Sequence, residues 1–282
     1  MAHKTLISGT AYSVTGGREL IGGTGYDCKA GKTLIGGTAF TVPFSKGIPL
    51  NTITPGAILY LNESGSPVPF YIAKHDYESG LNGAGRTLIV RKECYERIEF
   101  SQWSTSNLFP TSTVSDFLAD TWFGLLDSAI QGAAGQTKIY CYIDEYQTRR
   151  ELTKNAFILS IGELKGVGGD GTPLDQTVRS LLAVAKLNGS NIHQWTRTPK
   201  EYSSTDVYVL DTAGNVTEQY CGNGNGVRPA FTLPATTAVI ANPDGTHMGT
   251  HHILKDGTSY AIKGGTDLIA GTSYQIGGVE RW

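Results

Sequence analysis

A fourteen-residue repeat constrains this chain more than any other feature of its sequence. Three copies open it, from Lys4 (KTLISGTAYSVTGG), Arg18 (RELIGGTGYDCKAG) and Lys32 (KTLIGGTAFTV). Two more close it, from His252 (HILKDGTSYAIKGG) and Thr266 (TDLIAGTSYQIGG). Each copy runs from an adjacent leucine and isoleucine through Gly-Thr to an aromatic residue, and three of the five end in a glycine pair. Short β-prone runs punctuated by glycine, which tolerates the positive φ of tight turns, read as strand, turn, strand, turn. Fourteen residues cannot bury an apolar face alone, so the copies must stack on one another or on a partner. The simplest arrangement packs residues 1–45 and 249–282 together, with a domain of residues 46–248 inserted between them. Two uses of such ends stay open: a local β cap for the inserted domain, or an attachment and oligomerisation module, since glycine-rich strand edges pair readily with further copies.

The repeat also explains the composition. The 282 residues include 36 glycines, about 13% against an ordinary ~7%. Nine of them fall in residues 4–42 and six in residues 252–278. Charge nearly cancels, with 23 Lys+Arg against 25 Asp+Glu, which argues against a nucleic-acid-binding basic face. No apolar run is long enough for a membrane span, and the opening MAHKTLISGT lacks a signal-peptide core. Cys28, Cys94, Cys141 and Cys221 form no CxxC pair, so four reduced thiols in a cytoplasmically made protein are expected, with exit by lysis or assembly.

Between the repeats the texture changes. Residues 57–61, 68–73, 86–91, 138–143 and 156–161 read as strands, with a turn at Glu63 to Ser66. A helix capped by Thr113 is expected to carry Val114, Phe117, Leu118, Leu125 and Leu126 on one face, with Trp122 beside that stripe as a core residue. A second helix is expected from about 174 to 186. Loops and short strands at 207–210, 226–233 and 236–240 follow. Strands, two helices and then loop-rich strands make an α+β pattern rather than a βαβ series.

Four segments of this region carry a family resemblance. Residues 107–130, containing SDFLADTWFGLL, Phe157 to Ser160 (FILS), Gln194 to Pro199 (QWTRTP) and Gly226 to Ala230 (GVRPA) resemble, in order, four signatures of the family called domain of unknown function 6273. That family's double tryptophan is replaced in this chain by Gln194-Trp195. The resemblance implies a C-type-lectin-like central domain, similar also to the formylglycine-generating enzymes. It further implies occurrence in bacteria and their phages, with no assigned catalytic activity. The flanking repeats resemble those of structural proteins from phages of Gram-positive gut bacteria.

The signature residues Trp122, Trp195, Arg197, Arg228 and Pro229 admit two readings. One is a ligand platform of aromatic face and guanidinium; the other, which we prefer, is a set of buried ties that hold the loops. Ligand contacts are instead expected on the variable loops, at Tyr202, Tyr208, Tyr220, Asn223 and Asn225, where tyrosine and asparagine offer contact area and adaptable hydrogen bonds.

Catalytic and metal patterns are sparse. His247, His251 and His252 cluster without a completing ligand. Asp144-Glu145, and Asp170 with Asp175, form no EF-hand loop, and Asn242 to Asp244 only approaches a lectin calcium signature. His75-Asp76 reads as an exposed strand end. Gly166 to Gly171 lacks phosphate-loop spacing, and no nucleophile elbow is present. No cofactor, no metal and no enzymatic activity are therefore expected. The sequence instead points to a homo-oligomeric structural protein of a phage or phage-like particle. It would be a tail, baseplate or fibre component whose lectin-like domain meets a host-surface glycan or another virion protein. A capsid or tail-tube decoration protein, or a bacterial lectin-like binding protein, are the alternatives.

Overall fold

The structure, a computed structural model, describes residues 48–102 and 106–239 with their side chains, and outside those ranges the backbone of the terminal strands. The chain divides into two compact units. One comprises Met1–Ile48, Ala238–Asp244 and Met248–Trp282; the other comprises Pro49–Thr237 with Gly245–His247. In the first, Lys4–Ile7 pairs antiparallel with Thr10–Ser13, Gly16–Ile21 with Thr24–Lys29, and Gly31–Ile35 with Thr38–Val42. His252–Lys255, Thr258–Ile269 and Thr272–Arg281 form an antiparallel three-stranded sheet.

The second unit is a mixed α+β assembly of several sheets and short helices. Its first sheet runs Ala230–Pro234, Arg86–Arg91, Ser66–Lys74, Ile58–Glu63, all antiparallel. Along Ile58–Glu63 alternate residues are buried, which sends Leu59, Leu61 and Glu63 to the core. The hairpin between Glu63 and Ser66 turns through Ser64 at φ 54° and Gly65 at φ 81°. Two successive positive φ angles match the right-handed twist of the strands, and glycine adopts them without a Cβ clash. Phe70, Ile72, Leu88, Val90 and Phe231 fill the interior, with Phe70 and Phe231 packed edge-on at 5.9 Å.

The second sheet runs Glu96–Glu99, Gly224–Val227, Gln194–Pro199, Asp206–Leu210, Val216–Tyr220. Every residue of its central strand, Gln194–Pro199, is buried. The expected single strand over residues 226–233 is in fact two, Gly224–Val227 in this sheet and Ala230–Pro234 in the first. The break falls at Arg228-Pro229: proline has no N–H to give a ladder, and its carbonyl instead accepts from Arg91 N at 2.9 Å. The GVRPA segment therefore carries the chain from one sheet to the other.

Three further expectations are corrected. Residues 156–161 are not a strand. Phe157 makes one isolated bridge to Ala230, and Ser160 then caps the helix Ile161–Lys165 in a reciprocal box with Glu163. The local Ser-x-x-Glu signal overrides the apolar run. The first helix is capped by Ser112, whose hydroxyl accepts from Ser115 N at 3.0 Å; Thr113 accepts instead from Gln102 N at 2.8 Å. This helix is α over Thr113–Phe117, π over Leu118–Trp122 and 3₁₀ over Phe123–Leu125. Its expected apolar face is uneven, with Val114, Leu118, Trp122 and Leu126 buried but Phe117 and Leu125 only half-buried. The second helix is shorter than expected, Gln176–Leu182, and the chain is back in a strand by Ala185.

Candidate functional site

The central strand of the second sheet delivers Arg197 into the interior, where its guanidinium organises four separate chain segments. Nε donates to Tyr140 O at 2.8 Å, Nη1 to Ile158 O at 2.9 Å and Nη2 to Asp170 O at 2.7 Å. Nη1 also meets Glu163 Oε2 at 2.6 Å. Glu163 Oε2 accepts in addition from Ser160 N at 2.8 Å, and its Oε1 from the Tyr77 hydroxyl. Burial pulls the Arg197 pKa down, but Glu163, Tyr77 and Asp170 together outweigh it and hold the guanidinium above its ordinary value. Burial, reinforced by Glu163, pushes the Tyr77 phenol well up. Burial also raises Asp170, against the pull of Arg197, while the Thr198 hydroxyl donates to Asp170 Oδ2.

The other signature residues are also buried. Trp195 Nε1 donates to Ile98 O at 2.8 Å, and its ring meets Phe100 at 5.3 Å. Trp122 Nε1 donates at 3.0 Å to Glu63 Oε2, whose carboxylate also pairs with Arg91 at 2.9 Å. Arg228 gives Nη1 to Leu182 O at 2.8 Å and Nη2 to Val184 O at 3.1 Å, satisfying carbonyls at the end of the helix Gln176–Leu182. Pro229 sits buried at the crossing between sheets.

This frame holds two loop tips together at the surface. Tyr146, in the turn between the strands Thr137–Tyr142 and Arg149–Lys154, is 68% exposed; Tyr202, between Gln194–Pro199 and Asp206–Leu210, is 76% exposed. Their ring centroids lie 6.3 Å apart at 74°, an edge-on pair standing in solvent. Both turns are tightly specified. Asp144 Oδ1 accepts from Tyr146 N at 3.1 Å and Thr148 N at 2.8 Å, and those Thr148 contacts hold the Asp144 carboxyl below its usual range. Tyr202 N donates to Glu145 O at 2.9 Å, directly joining the tips. Ser203 Oγ accepts from Asp206 N at 3.0 Å, and Asn107 Nδ2 donates to Ser203 O at 2.7 Å and Asp206 O at 2.8 Å. Gln147 and Tyr202 take positive φ, 59° and 58°. Left-handed backbone is costly for such side chains and persists only where surrounding contacts over-determine it. Two large rings are thus kept in water on strained, hydrogen-bonded turns.

Of the ligand contacts expected from sequence, the structure places Tyr202 in this pair and leaves the others apart from it. Tyr208 is half-buried on its strand, and Tyr220 is 45% exposed at the end of the edge strand Val216–Tyr220. Asn223 is exposed, its Nδ2 given to Gln219 Oε1 at 2.8 Å. Asn225 is not on an exposed loop: it is buried within Gly224–Val227, with Nδ2 unpartnered among the described residues. Sequence reasoning missed Tyr146; the Asp144-x-x-x-Thr148 turn beside it was the available signal.

Of the acidic pairs, Asp144 closes its own turn and Asp170 is buried under Thr198, while Asp175 holds the N-cap position of Gln176–Leu182 without a side-chain cap bond. His75 is half-buried, with Nδ1 3.0 Å from Thr87 Oγ1 and Nε2 2.7 Å from Ile53 O. Gly166 ends the helix Ile161–Lys165 in left-handed conformation. Among the described residues no three His, Cys, Asp or Glu side chains converge on a metal position. The side chains of His247, His251 and His252, and all of Asn242 to Asp244, lie outside the described residues, as does the side chain of Cys28. Cys94, Cys141 and Cys221 are free and buried.

Fold and site together define an α+β domain that buries its charged signature residues and presents aromatic side chains on paired loop tips. Residues 84–235, more than half of the chain, match the family described as Domain of unknown function (DUF6273), and the chain belongs to that family. No curated protein matches the chain, and no solved structure matches it.

Proposed function

We propose that this protein is a non-enzymatic structural component of a phage or phage-like particle, in the tail, baseplate or fibre. Its C-type-lectin-like domain meets a host-surface glycan or a virion protein through the Tyr146–Tyr202 tip, and its fourteen-residue β repeats anchor it in a homo-oligomer. The exposed tyrosine pair carries the reading. Tyrosine supplies large, rigid, amphipathic contact area at low entropic cost, and solvent-exposed rings on strained turns have no packing role to explain them. The buried acids support a non-catalytic reading, since Glu163 and Asp170 are committed to internal hydrogen bonds. The repeated copies at both ends of the sequence, and the strand pairs in those segments, support anchoring.

The test is surface labelling. Fluorescent full-length protein, applied to a panel of Gram-positive gut bacteria, is expected to label susceptible cells. The Tyr146→Ser/Tyr202→Ser double variant is expected to lose at least about tenfold in apparent affinity. Equal labelling by the variant, or no labelling across the panel, overturns the receptor reading. Deletion of residues 1–42 is expected to abolish oligomers in solution; a fully assembled truncation overturns the anchoring reading.

A further inference from the structure

The Tyr146–Tyr202 tip carries charge as well as aromatic surface. Residues 143–148 and 201–206, which make its two turns, include Asp144, Glu145, Glu201 and Asp206 and no lysine, arginine or histidine. Asp144 and Asp206 are engaged within their own turns, Asp144 Oδ1 with Thr148 N and Asp206 Oδ2 with Ser203 Oγ at 3.1 Å. Glu145 and Glu201 each directly precede one of the two exposed tyrosines, and neither makes an ion pair among the described residues. The Glu145 carboxylate beside the Tyr146 hydroxyl pushes that phenol up, which sets the negative charge at the ring itself. The neighbouring cations act elsewhere. Lys200 meets Glu218 at 2.6 Å, Arg149 donates to Gly169 O at 3.0 Å and stacks 4.2 Å over the Tyr140 ring, and Arg150 bears on Asp144. Ring faces are themselves electrostatically negative, so rings and unpaired carboxylates together attract a cation and repel an anionic polymer. A neutral sugar would use the rings but brings no charge to set against the two glutamates. Among cations, a guanidinium lies flat on tyrosine while its fork pairs a carboxylate bidentately; an ammonium is a compact, strongly hydrated point charge that does neither as well.

Resting on the reading of this tip as the contact surface, we propose that its partner is a protein segment presenting an arginine, whose guanidinium stacks on the tyrosine pair and pairs with Glu145 or Glu201. The partner is then a protein rather than a glycan, which suits the enrichment of tyrosine and arginine at protein contacts.

NMR titration of the full-length protein, read at the ring resonances of Tyr146 and Tyr202, tests it with N-acetyl-arginine methylamide, N-acetyl-lysine methylamide and methyl glucoside as probes. Saturable, millimolar binding of the arginine derivative is expected, several-fold tighter than the lysine derivative, at least about tenfold tighter than the glucoside, and weakened by added salt. Glu145→Gln/Glu201→Gln is expected to weaken it about tenfold with an essentially unchanged melting curve, since Glu201 is exposed and Glu145 half-buried on the turn. Lysine or glucoside binding as tight as arginine, affinity unchanged in the double Gln variant, or unshifted rings with the arginine derivative overturns the proposal. If the parent labels cells and Tyr146→Ser/Tyr202→Ser does not, while the arginine derivative leaves the rings unshifted, this inference falls and the contact reading stands. If the derivative binds as expected and no cell is labelled, the receptor reading falls and this one stands.

Discussion

Arg197 Nη1 and Glu163 Oε2 stand 2.6 Å apart with neither side chain exposed to solvent. A buried pair of this kind gains less than its Coulomb attraction, because both ions lost their hydration, yet stranding one partner is severe. Glu163→Ala leaves Arg197 without its counter-charge and the Tyr77 hydroxyl without its acceptor, and the capping box at Ser160 loses its reciprocal bond. It is expected to destabilise the domain by about 3–5 kcal/mol, or roughly 6–20 °C in Tm. Glu163→Gln keeps an acceptor oxygen and should lose clearly less. Calorimetry on both variants checks the order; equal losses would show that the charge is irrelevant.

Tyr202 gives a backbone test of the same architecture. At φ 58° its side chain is held in left-handed conformation, where glycine carries no Cβ penalty. Tyr202→Gly is therefore expected to be more stable than Tyr202→Ala by about 1 kcal/mol, reversing the usual order at an exposed site. Urea unfolding of the two variants measures the difference directly, and a more stable alanine variant would refute the strain.

Much of the α+β framework was legible because its signals are local. Residues 86–91 read as a strand and are one, and Glu63 to Ser66 read as a turn and is a two-residue hairpin loop. The misreadings arise where two local signals compete or where the deciding contact is distant. At residues 156–161 an apolar run obscured the Ser160–Glu163 capping box. At 226–233 β-prone residues on both sides obscured what Pro229 forbids. The tyrosine pair was half legible: Tyr202 stood in a loop rich in polar residues, whereas Tyr146 had only the Asp144-to-Thr148 turn signal, and its pairing with Tyr202 depends on Glu145 O receiving the Tyr202 amide, a contact no local pattern encodes. Asn225 failed for a related reason. Glycines on both sides suggest an open loop, but the segment is drawn into a sheet between Glu96–Glu99 and Gln194–Pro199.

Alkaline pH should weaken the domain in a defined window. Burial pushes the Cys94 thiol up from 9.0 to about 11, against the pull of Arg228, and Tyr77 is displaced in the same direction. Both groups have folded-state pKa values above their unfolded ones. The stability they contribute is complete below about pH 9 and is lost as pH rises through the folded values. For Cys94 the loss amounts to about 2–3 kcal/mol between pH ~9 and ~11. Cys94→Ala should flatten that part of the profile, measured as the urea midpoint against pH. In the native state Cys94 should also resist iodoacetamide at neutral pH, because the thiolate is the reactive form. Rapid native alkylation at Cys94, read by peptide mass, would contradict the burial.

The close approach of Gly226 to Cys94 offers the sharpest packing test. A Cβ built on Gly226 would stand 2.5 Å from Cys94 Sγ and 3.0 Å from Ile192 Cγ2. Gly226 is held there from two sides, its amide donating to His193 O at 2.8 Å and its strand registered against Arg97 and Gln194. The backbone therefore has little freedom to retreat, and Gly226→Ala is expected to cost about 1–3 kcal/mol by overpacking. Cys94→Ala removes the sulfur that clashes, at the expense of a small cavity. Combined with Gly226→Ala it should return a coupling energy of about 1–2 kcal/mol, because the new methyl occupies part of the space the thiol vacates. Strict additivity in that double-mutant cycle would mean that the clash is relieved by backbone movement, and that the GVRPA crossing is less rigid than its buried hydrogen bonds imply.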